Sequence, residues 1–402
     1  MKILHVSVSD IVGGAERAAY RLHRALLAEG IDSNMIVQNK KTDDYTVIGP
    51  KNNFEKFVNL LRPSLDQLPV MFYKNKSKTL FSPSWIPFSS VIRKINEIRP
   101  DIVHLHWICG GMLRIEDIAK IKFPIVWTLH DMWAFTGGCH YDEHCGRYKK
   151  ECTHCIVLNS NRENDLSKLV FRRKLKVYRE KKIHIVAISK WIKKSSEESS
   201  LLGSHRHYHI PNLIDISIFK PFEKDKARNL WNLPKDKKFI LFGAINATSD
   251  PRKGYNEILK ALKHVKTRNI ELIVFGSSKP KDTPDFGFKT HYLGHLHDDI
   301  SLVTLYGAAD VLVVPSIQEN LSNTIMESLS CGTPVVAFDI GGNSDMIDHL
   351  SNGYLAKPFD TKDLAEGIDW ILNSQNYDEL SLNARRKVER EFDSKIVVKK
   401  YI

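Results

Sequence analysis

Short apolar runs alternate with amphipathic stretches along this chain, and the whole alternation occurs twice. In the first half, residues 3–7 and 125–129 have the length of buried strands, and residues 15–29 place apolar side chains at helical spacing. The second half repeats the pattern, with a strand-like run at 311–314 and a helical stretch at 255–265. Because alternating strands and helices build parallel sheets covered on both faces, we predict an α/β protein of two Rossmann-like domains.

Length and composition agree with two folded domains. A chain of 402 residues exceeds the size at which one hydrophobic core keeps growing, and 42% hydrophobic with 26% charged residues is typical of folded proteins. The sequence Ile-Pro-Asn at 210–212 indicates a hinge. We place the domains at 1–208 and 209–384. A basic helical segment follows at 385–402, with a return to the first domain as one option.

The sequence shows no export or membrane-spanning signal. The basic start lacks the long apolar stretch and cleavage site of a signal peptide. No apolar run approaches the roughly 18 residues that span a bilayer. We therefore expect a cytoplasmic location, with any membrane contact peripheral and at the inner face of the cytoplasmic membrane.

A formal net charge of +12 calls for anionic partners or a cation-rich surface. Nucleic acid, an anionic membrane and polyphosphate substrates are the partner classes that such a charge can serve. The basic residues are spread along the chain and build no zinc-finger or basic-zipper module, so we expect no nucleic-acid partner. For most of these residues a solvated surface is the simplest interpretation.

The segment from Glu319 to Glu327 is the most informative part of the second half. A predicted strand precedes it and a predicted helix begins near Ser322, so the unpaired amides at the helix start would bind an anion. One carboxylate before these amides and one after them would bracket a phosphate with acceptors for sugar hydroxyls. The alternative is that the acidic residues merely complement the helix dipole.

Several further motifs make this segment specific. They are Lys253-Gly254 before a helix, the run LYGAADVLVVPS, Cys-Gly-Thr-Pro-Val-Val at 331–336, Gly341-Gly342 and the linker IPNLIDISIFKP. With the Glu-x7-Glu pair, they resemble retaining GT-B glycosyltransferases of family 4, over nearly the whole chain. The resemblance implies two Rossmann-like domains whose sheets face a central cleft, the first binding the acceptor and the second the nucleotide-sugar donor.

The resemblance also implies roles for individual residues. Glu319 would hold the transferred sugar and assist catalysis, Glu327 would bind the ribose hydroxyls, and Lys253 would contact the diphosphate. Related enzymes carry an arginine where Ala244 stands here. Arg252 either replaces that arginine or is an ordinary exposed loop residue. The other donor-binding candidates are Gly14, Leu321, Ser322, Asn323 and Thr324.

The sequence contains no Asp-x-Asp, the usual sign of a glycosyltransferase that holds its diphosphate through a divalent metal. We therefore expect metal-independent transfer and no cofactor for catalysis. The charge of the leaving group would then be met by Lys253 and the helix amides.

Histidines mark the ends of two predicted strands in the first half. His106 and the pair His130-Asp131 follow apolar runs, where sites of α/β proteins form. A lone histidine is more often structural than catalytic, but Thr-x-His-Asp at 128–131 resembles a family element near the reacting sugar. The resemblance implies substrate positioning and transition-state stabilisation by His130, with general-base action as the weaker option. It places His106 and Asp131 on the acceptor side.

Four of the six cysteines lie between positions 139 and 155, spaced C-x5-C-x6-C-x2-C. Disulfides are disfavoured in a reducing cytosol, whereas four soft ligands on one loop fit a structural zinc site. The spacing is irregular for a zinc ribbon or finger, so unmetallated thiols are an equal alternative. The zinc candidates are Cys139, Cys145, Cys152 and Cys155, with His140, His144 or His154 as possible replacements.

Two stretches, 54–78 and 166–182, interleave apolar and basic residues. One interpretation is that they rest on an anionic membrane surface. The other, which we favour for burying Leu60 and Leu65, is a pair of amphipathic helices packed on the first sheet.

Together these features predict a retaining glycosyltransferase. It would move a sugar from a nucleotide sugar to a hydroxyl of a carbohydrate or polyprenyl-diphosphate-linked acceptor. The cysteine-containing loop resembles enzymes of bacterial surface-polysaccharide assembly, which make O-antigen, capsule or exopolysaccharide. The alternatives are a nucleotide-sugar epimerase of the same shape, a non-catalytic nucleotide-sugar-binding protein and a nucleic-acid binder.

Overall fold

The chain divides into two compact units, Met1–Pro211 and Asn212–Ile402. The computed structural model describes residues 1–243, 250–276, 286–296 and 298–402. The segment 385–402 belongs to the second unit, where the Arg385 guanidinium donates to the backbone carbonyls of Phe219 and Ile216.

The described part of the first unit is a parallel sheet flanked by helices. Its strands are β1 (Lys2–Ser9), β2 (Asp32–Asn39), β3 (Val47–Ile48), β4 (Ile102–Leu105), β5 (Ile125–Leu129), β6 (Ile183–Ala187) and β7 (Arg206–His209). Its helices are α1 (Gly14–Ala28), α2 (Asn53–Met71), α3 (Val91–Ile98), α4 (Ile115–Ala119), α5 (Leu166–Arg179) and α6 (Lys190–Glu197). The strands lie in the order β3-β2-β1-β4-β5-β6-β7. From β1 the chain adds strands first on one side and then, starting with β4, on the other side, so the strand order reverses between β1 and β4. Ligands of open α/β sheets bind at such a reversal.

The second unit has the same design in its described residues. Its strands are β8 (Lys238–Gly243), β9 (Ile270–Phe275), β10 (Thr290–Tyr292), β11 (Val311–Val314), β12 (Val335–Phe338) and β13 (Gly353–Ala356). Its helices are α7 (Lys224–Leu230), α8 (Tyr255–Leu262), α9 (Asp299–Ala308), α10 (Asn323–Ser330), α11 (Asn343–Met346), α12 (Thr361–Leu372), α13 (Tyr377–Glu391) and α14 (Ser394–Val397). The strand order β10-β9-β8-β11-β12-β13 reverses between β8 and β11. The predicted pair of Rossmann-like domains with parallel sheets is therefore confirmed.

Burial explains which elements the pattern located. β5 and β11 have the predicted bounds, and nearly all of their side chains are buried, so each is a plain apolar run. β7 and β10 are edge strands whose polar and aromatic side chains are only partly buried or exposed. They carry no apolar signal, and the pattern missed them.

Helix α2 departs from the prediction. Leu60 is 70% exposed and Leu65 is 42% exposed, so the interpretation that these leucines are buried is wrong. The helix instead buries Arg62, Asp66 and Val70.

Polar contacts explain this orientation of α2. The Arg62 guanidinium donates to the carbonyl oxygen of Gly111 at 2.6 Å and to that of Pro87 at 3.1 Å. Asp66 accepts from the Trp85 amide at 3.2 Å. Because buried polar groups need such partners, these contacts direct the polar stripe inward and leave the leucines outward. Helix α5, in contrast, buries Val170, Phe171, Val177 and Tyr178, which agrees with the alternative of a packed amphipathic helix.

Candidate functional site

In the second unit, two loops meet at the carboxyl ends of β8 and β11, where the strand order reverses. The amide of Ile317 donates to the carbonyl oxygen of Arg252 at 2.8 Å and ties the loops together. Gly254 has a φ of +73°, and an added Cβ would collide with the carbonyl oxygen of Pro315. Only glycine combines this conformation with so close an approach. The Lys253-Gly254 motif therefore has a structural basis beside any binding role.

Lys253 and Glu319 form an ion pair across these loops. The ammonium Nζ lies 2.7 Å from Oε2 of Glu319, which is itself buried. Burial alone would raise the pKa of Glu319, but the charge and hydrogen bond of Lys253, together with the charge of Arg252, lower it below its usual value. Glu319 is therefore a carboxylate at neutral pH, held by a fixed cation.

Arg252 forms a local ion pair. Its guanidinium lies 2.6 Å from the carboxylate of Asp250, and Asp250 also accepts from the Arg252 amide at 3.0 Å. The side chain is partly exposed beside the Lys253–Glu319 pair. Both interpretations of Arg252 stay open, since it is a loop residue and also acts on the charge of Glu319. Ala244, where the family arginine is missing, lies outside the described residues.

The Gly341-Gly342 motif shapes the backbone of Glu319. Gly341 follows β12 with a φ of +55°, and a Cβ there would collide with the carbonyl oxygen of Glu319. The carboxyl ends of β8, β11 and β12, which are neighbours in the sheet, thus converge on one residue, Glu319.

Helix α10 begins at Asn323 with Ser322 as its N-cap, close to the predicted start. The Ser322 and Thr324 hydroxyls lie 2.8 Å apart, and Leu321 before them is buried. Glu327 is buried on the second turn, where the Tyr306 hydroxyl donates to its carboxylate at 3.0 Å. The structure thus brings the predicted donor residues of the second unit to neighbouring strand ends. Gly14 belongs to the other unit.

In the first unit, histidines gather on β1, β4 and the end of β5. His106 Nδ1 lies 3.1 Å from Nε2 of His130, and His5 Nδ1 lies 2.9 Å from Nε2 of His106. His104 Nε2 lies 2.7 Å from the hydroxyl of Thr128. The predicted residues His106 and His130 therefore touch. His5 was missed, because its nearness follows from the pairing of β1 with β4, about 100 residues apart in sequence.

These imidazoles are uncharged at neutral pH. Burial lowers the pKa of His130 to about 4 and that of His104 to about 3. Burial and the neighbouring imidazoles hold the pKa values of His5 and His106 well below the usual range. The candidate acceptor side is thus lined with neutral donors and acceptors of hydrogen bonds.

Asp131 organises the loop after β5. Its carboxylate accepts from the Trp107 indole at 2.9 Å, from the Trp133 amide at 2.8 Å and from the His140 ring at 2.6 Å. Burial would raise the pKa of Asp131, but these partners, His140 above all, lower it. The observed contacts of Asp131 fix the backbone that carries His130.

Helix α1 begins at Gly14 and buries Glu16 in its first turn. Burial, reinforced by the charge of Asp131, raises the pKa of Glu16 to about 8. Gly13 has a φ of +106°, and a Cβ there would collide with the Glu16 carboxyl group. The glycine turn is therefore built around a carboxyl group that is largely protonated at neutral pH.

The four clustered cysteines lie in the segment between β5 and α5. Among the described residues, the group of His, Cys, Asp or Glu donors within 4.8 Å of one another is His5, His104 and His106, not the thiols. Burial raises the pKa of Cys152 to about 12 and that of Cys155 to about 11, and Cys152 Sγ already accepts from the Gly137 amide. Zinc deprotonates the thiols that it binds, so a structural zinc at these cysteines stays a prediction.

Comparison with known families gives matches over both halves of the chain. A model described as Glycosyltransferase Family 4 matches residues 12–218, more than half of the chain, and one described as Glycosyl transferases group 1 matches 223–388. Among the described residues, no helix combines the length and hydrophobicity needed to cross a membrane.

Curated relatives are glycosyltransferases. The uncharacterized glycosyltransferase MJ1607 of Methanocaldococcus jannaschii is 30% identical over 41% of this chain and 43% of the relative. The putative colanic acid biosynthesis glycosyl transferase WcaC of Escherichia coli is 24% identical over 84% of this chain and 83% of the relative. The N,N'-diacetylbacillosaminyl-diphospho-undecaprenol alpha-1,3-N-acetylgalactosaminyltransferase of Campylobacter jejuni is 27% identical over 47% of this chain and 51% of the relative. The chain thus spans less than half of the first relative and about half of the third.

Solved structures share the fold. Sucrose-phosphate synthase from Thermosynechococcus elongatus has a TM-score of 0.71 at 18% identity, covering 100% of this chain and 97% of that chain. HepE from Anabaena, in complex with UDP and glucose, has a TM-score of 0.65 at 18% identity, covering 100% and 98%. At these identities the likeness establishes the GT-B architecture of two such domains.

Proposed function

The chain belongs to glycosyltransferase family 4, and from that premise we propose that it moves a sugar, with retention at the anomeric carbon, from a nucleotide-sugar donor to a hydroxyl group of a carbohydrate or lipid-linked oligosaccharide acceptor. The observation that carries the proposal is the Lys253–Glu319 pair at the reversal of the second sheet. A carboxylate held by a cation at strand ends is suited to a sugar and the phosphate that leaves it.

In this proposal Lys253 and the start of α10 bind the donor diphosphate. As the bond between sugar and phosphate breaks, negative charge grows on the leaving group, and a fixed ammonium with helix amides stabilises that charge. Glu319 holds the transferred sugar and Glu327 the ribose. The UDP and glucose in the HepE complex support a nucleotide-sugar donor.

We also propose that transfer is metal-independent. Lys253 supplies a charge where a metal-dependent glycosyltransferase would use a divalent ion, and the sequence offers no Asp-x-Asp to hold that ion. The charge of Arg252 helps to lower the pKa of Glu319 and so keeps that carboxylate ionised beside Lys253. Zinc at the cysteine loop takes no part in the reaction. Metal analysis of protein purified without chelators tests whether the loop holds zinc, and clearly sub-stoichiometric zinc would remove the structural-zinc prediction.

On the acceptor side, His130 positions the acceptor hydroxyl group or the reacting sugar, with His106 behind it. Neutral imidazoles at this position fit uncharged sugar hydroxyls, because they give and take hydrogen bonds without requiring a counter-ion. The names of the WcaC and Campylobacter relatives support a place in bacterial surface-polysaccharide assembly and a polyprenyl-diphosphate-linked acceptor.

Helix α2 supports a peripheral membrane location at the cytoplasmic face. Its outward side chains form an apolar surface: Phe54, Phe57, Leu60, Leu61, Leu65, Leu68 and Met71. Lys56, Lys74, Lys76 and Lys78 are exposed on or just after the helix. Apolar surface beside cations fits an anionic bilayer, where each basic residue contributes about 1 kcal/mol.

A cavity at the end of α2 extends this surface. It has a volume of about 950 Å³ and lies between the end of α2 and the start of α5, with Phe72, Trp85 and Leu169 among its apolar lining. Lys74 and Arg172 stand beside them. Aromatic and cationic groups together suit the phosphate and first isoprenyl units of a lipid-linked acceptor.

A donor screen followed by product analysis tests the proposed reaction. Thermal stabilisation by one nucleoside diphosphate-sugar identifies the donor. Comparison of the anomeric configuration of the product with that of the donor then shows whether configuration is retained. Glu327→Ala should lose donor affinity, and unchanged affinity would remove the ribose role. Turnover without acceptor would favour the epimerase, and binding without any turnover a non-catalytic protein.

Vesicle co-sedimentation tests the membrane location. The chain should bind vesicles containing phosphatidylglycerol and release them in high salt, and Phe57→Ser with Leu60→Ser should weaken binding at least about tenfold. Leu382→Ser, an exposed leucine on α13 of the second unit, is the matched control. Equal binding to neutral vesicles, or no effect of the α2 variant, would contradict the proposal.

A further inference from the structure

Three imidazoles of the first unit form a hydrogen-bonded chain that ends at His130. Ring centroids lie 5.2 Å apart for His5 and His106 and 5.4 Å apart for His106 and His130. His5 and His106 are buried, whereas His130 keeps part of its surface open. The hydrogen-bonded imidazoles therefore run from the interior of the sheet to the strand end at which we propose that substrate binds.

The hydrogen bonds restrict the tautomers of all three rings at once. His5 Nδ1 meets His106 Nε2 at 2.9 Å, and His106 Nδ1 meets His130 Nε2 at 3.1 Å. A neutral imidazole has one N–H, and His106 uses both of its nitrogens. Either every ring carries its proton on Nδ1, or every ring carries it on Nε2. Mixed arrangements leave one contact with two protons or with none.

His5, at the buried end of the row of imidazoles, decides between these two states. Within the described residues, His5 Nε2 is buried and has no hydrogen-bond partner. The Nε2–H state would place an unsatisfied N–H there, and an orphaned buried donor costs about 1–3 kcal/mol. The Nδ1–H state leaves only a lone pair at that position, and buried acceptors without partners are the less rare case.

We infer that His5 and His106 are positioning residues that set the tautomer of His130, with the proton on Nδ1 and the lone pair of Nε2 committed to His106. Any group facing Nδ1 of His130 then meets a hydrogen-bond donor. The consequence for catalysis rests on the proposed function: His130 donates to an oxygen of the substrate and does not act there as a general base.

The same imidazoles could instead suggest a metal site, because donor atoms of His5, His104 and His106 lie within 4.8 Å of one another. The ring geometry favours the hydrogen-bonded chain. His104 and His106 are stacked at 4.3 Å with an interplanar angle of 28°, so their in-plane lone pairs run side by side. Ligands of a tetrahedral ion must converge on one point.

Nitrogen-15 NMR of histidine-labelled full-length protein at neutral pH reports each tautomer directly. His5, His106 and His130 should all show protonated Nδ1, whereas the Nε2–H form dominates for free histidine in water. Assignment uses His130→Asn and His106→Asn. Protonated Nε2 in His130 would overturn the inference. So would displacement of the His5 and His106 signals by stoichiometric Zn²⁺ added alone.

Variants of His5 then test the function of this row of hydrogen-bonded imidazoles. His5→Leu removes the donor, and His130 should shift towards a mixture of tautomers, with kcat lowered about tenfold and KM for the donor little changed. His5→Asn keeps an N–H near the Nδ1 position and should restore most of kcat. His184→Asn is the matched control, since His184 lies on β6 of the same sheet and its ring stacks on Tyr208.

The outcomes separate this inference from the proposed reaction. An unchanged His130 tautomer in folded His5→Leu protein would overturn the inference even if sugar transfer is found. The expected tautomers in a protein that transfers no sugar would instead leave the inference standing and remove the proposed function. The wild-type spectrum needs neither a variant nor a substrate.

Discussion

The two units share one design and fill it with opposite chemistry. In each, a parallel sheet reverses its strand order, and polar side chains gather at the carboxyl ends of the strands beside the reversal. The first unit places neutral imidazoles there, whose pKa values are lowered by burial. The second places a carboxylate and an ammonium 2.7 Å apart. The fold thus determines where a site forms, and the side chains determine what it binds.

The difference also concerns how charge is managed. In the second unit the charge of Glu319 is retained in a buried position because Lys253 balances it. In the first unit burial raises the pKa of Glu16 to about 8, so its carboxyl group is neutral in its buried position at neutral pH. A balanced ion pair suits a charged diphosphate, whereas neutral groups suit hydroxyls.

The largest effect is expected when the ion pair is broken. Glu319→Gln should lower kcat roughly 100-fold or more, because a preorganised charge at the reacting sugar is lost and Lys253 is left unpaired. Steady-state kinetics with the identified donor measures this. Glu271→Gln is the matched control, a buried carboxylate paired with His291 near the start of β9. Activity of Glu319→Gln within threefold of wild type would end the proposed role of the pair.

Gly341→Ala should distort the same site without removing a charge. The added Cβ collides with the carbonyl oxygen of Glu319, and the alanine must also adopt a φ of +55°. We therefore expect destabilisation of about 2–4 kcal/mol and weaker donor binding. Gly294→Ala has a φ of +66° with open space around its Cβ, and should cost only about 1 kcal/mol. Chemical unfolding compares the two. Equal losses would show that the collision is relieved.

Glu16 gives the first unit a pH-dependent stability. Its folded pKa of about 8 lies above the usual value of 4.5 for a glutamate in water, so between these values the folded chain binds more protons than the unfolded chain. This contribution is fully present below about pH 4.5 and is lost as pH rises towards 8, by up to about 1.4 kcal/mol per pH unit.

Glu16→Gln should remove that dependence. Melting temperatures of the wild type and the variant, measured between pH 5.5 and 8, should diverge as pH rises, with the wild type losing stability relative to the variant. Other ionisable groups cancel in the difference. Parallel curves would mean that Glu16 ionises in the fold as it does in water.

The smallest effect is expected on the exposed side of α2. Leu60→Ala should change the free energy of unfolding by no more than about 0.5 kcal/mol, because Leu60 is 70% exposed. Ile325→Ala, on the fully buried face of α10 in the second unit, should cost about 2–4 kcal/mol. Urea unfolding measures both. A large loss for Leu60→Ala would indicate that this leucine packs against protein in solution.

Much of the fold and of the candidate donor site could be predicted because their signals are local. β5 and β11 are plain apolar runs, and α10 begins within one residue of its predicted start. The candidate acceptor side was predicted only in part. His106 and His130 were found from their places after apolar runs, whereas His5 sits within an ordinary strand pattern and becomes a neighbour only through the register of β1 with β4.

By itself, the sequence determined the two-fold α/β pattern, the position of the strand ends and the specific motifs from Lys253 to Gly341, since each depends on residues close together in the chain. Only the tertiary structure decided that Lys253 meets Glu319, that His5 joins His106 and that α2 turns its leucines outward. Each of these depends on how distant segments pack, and in α2 buried polar contacts of Arg62 and Asp66 overrode the apolar pattern.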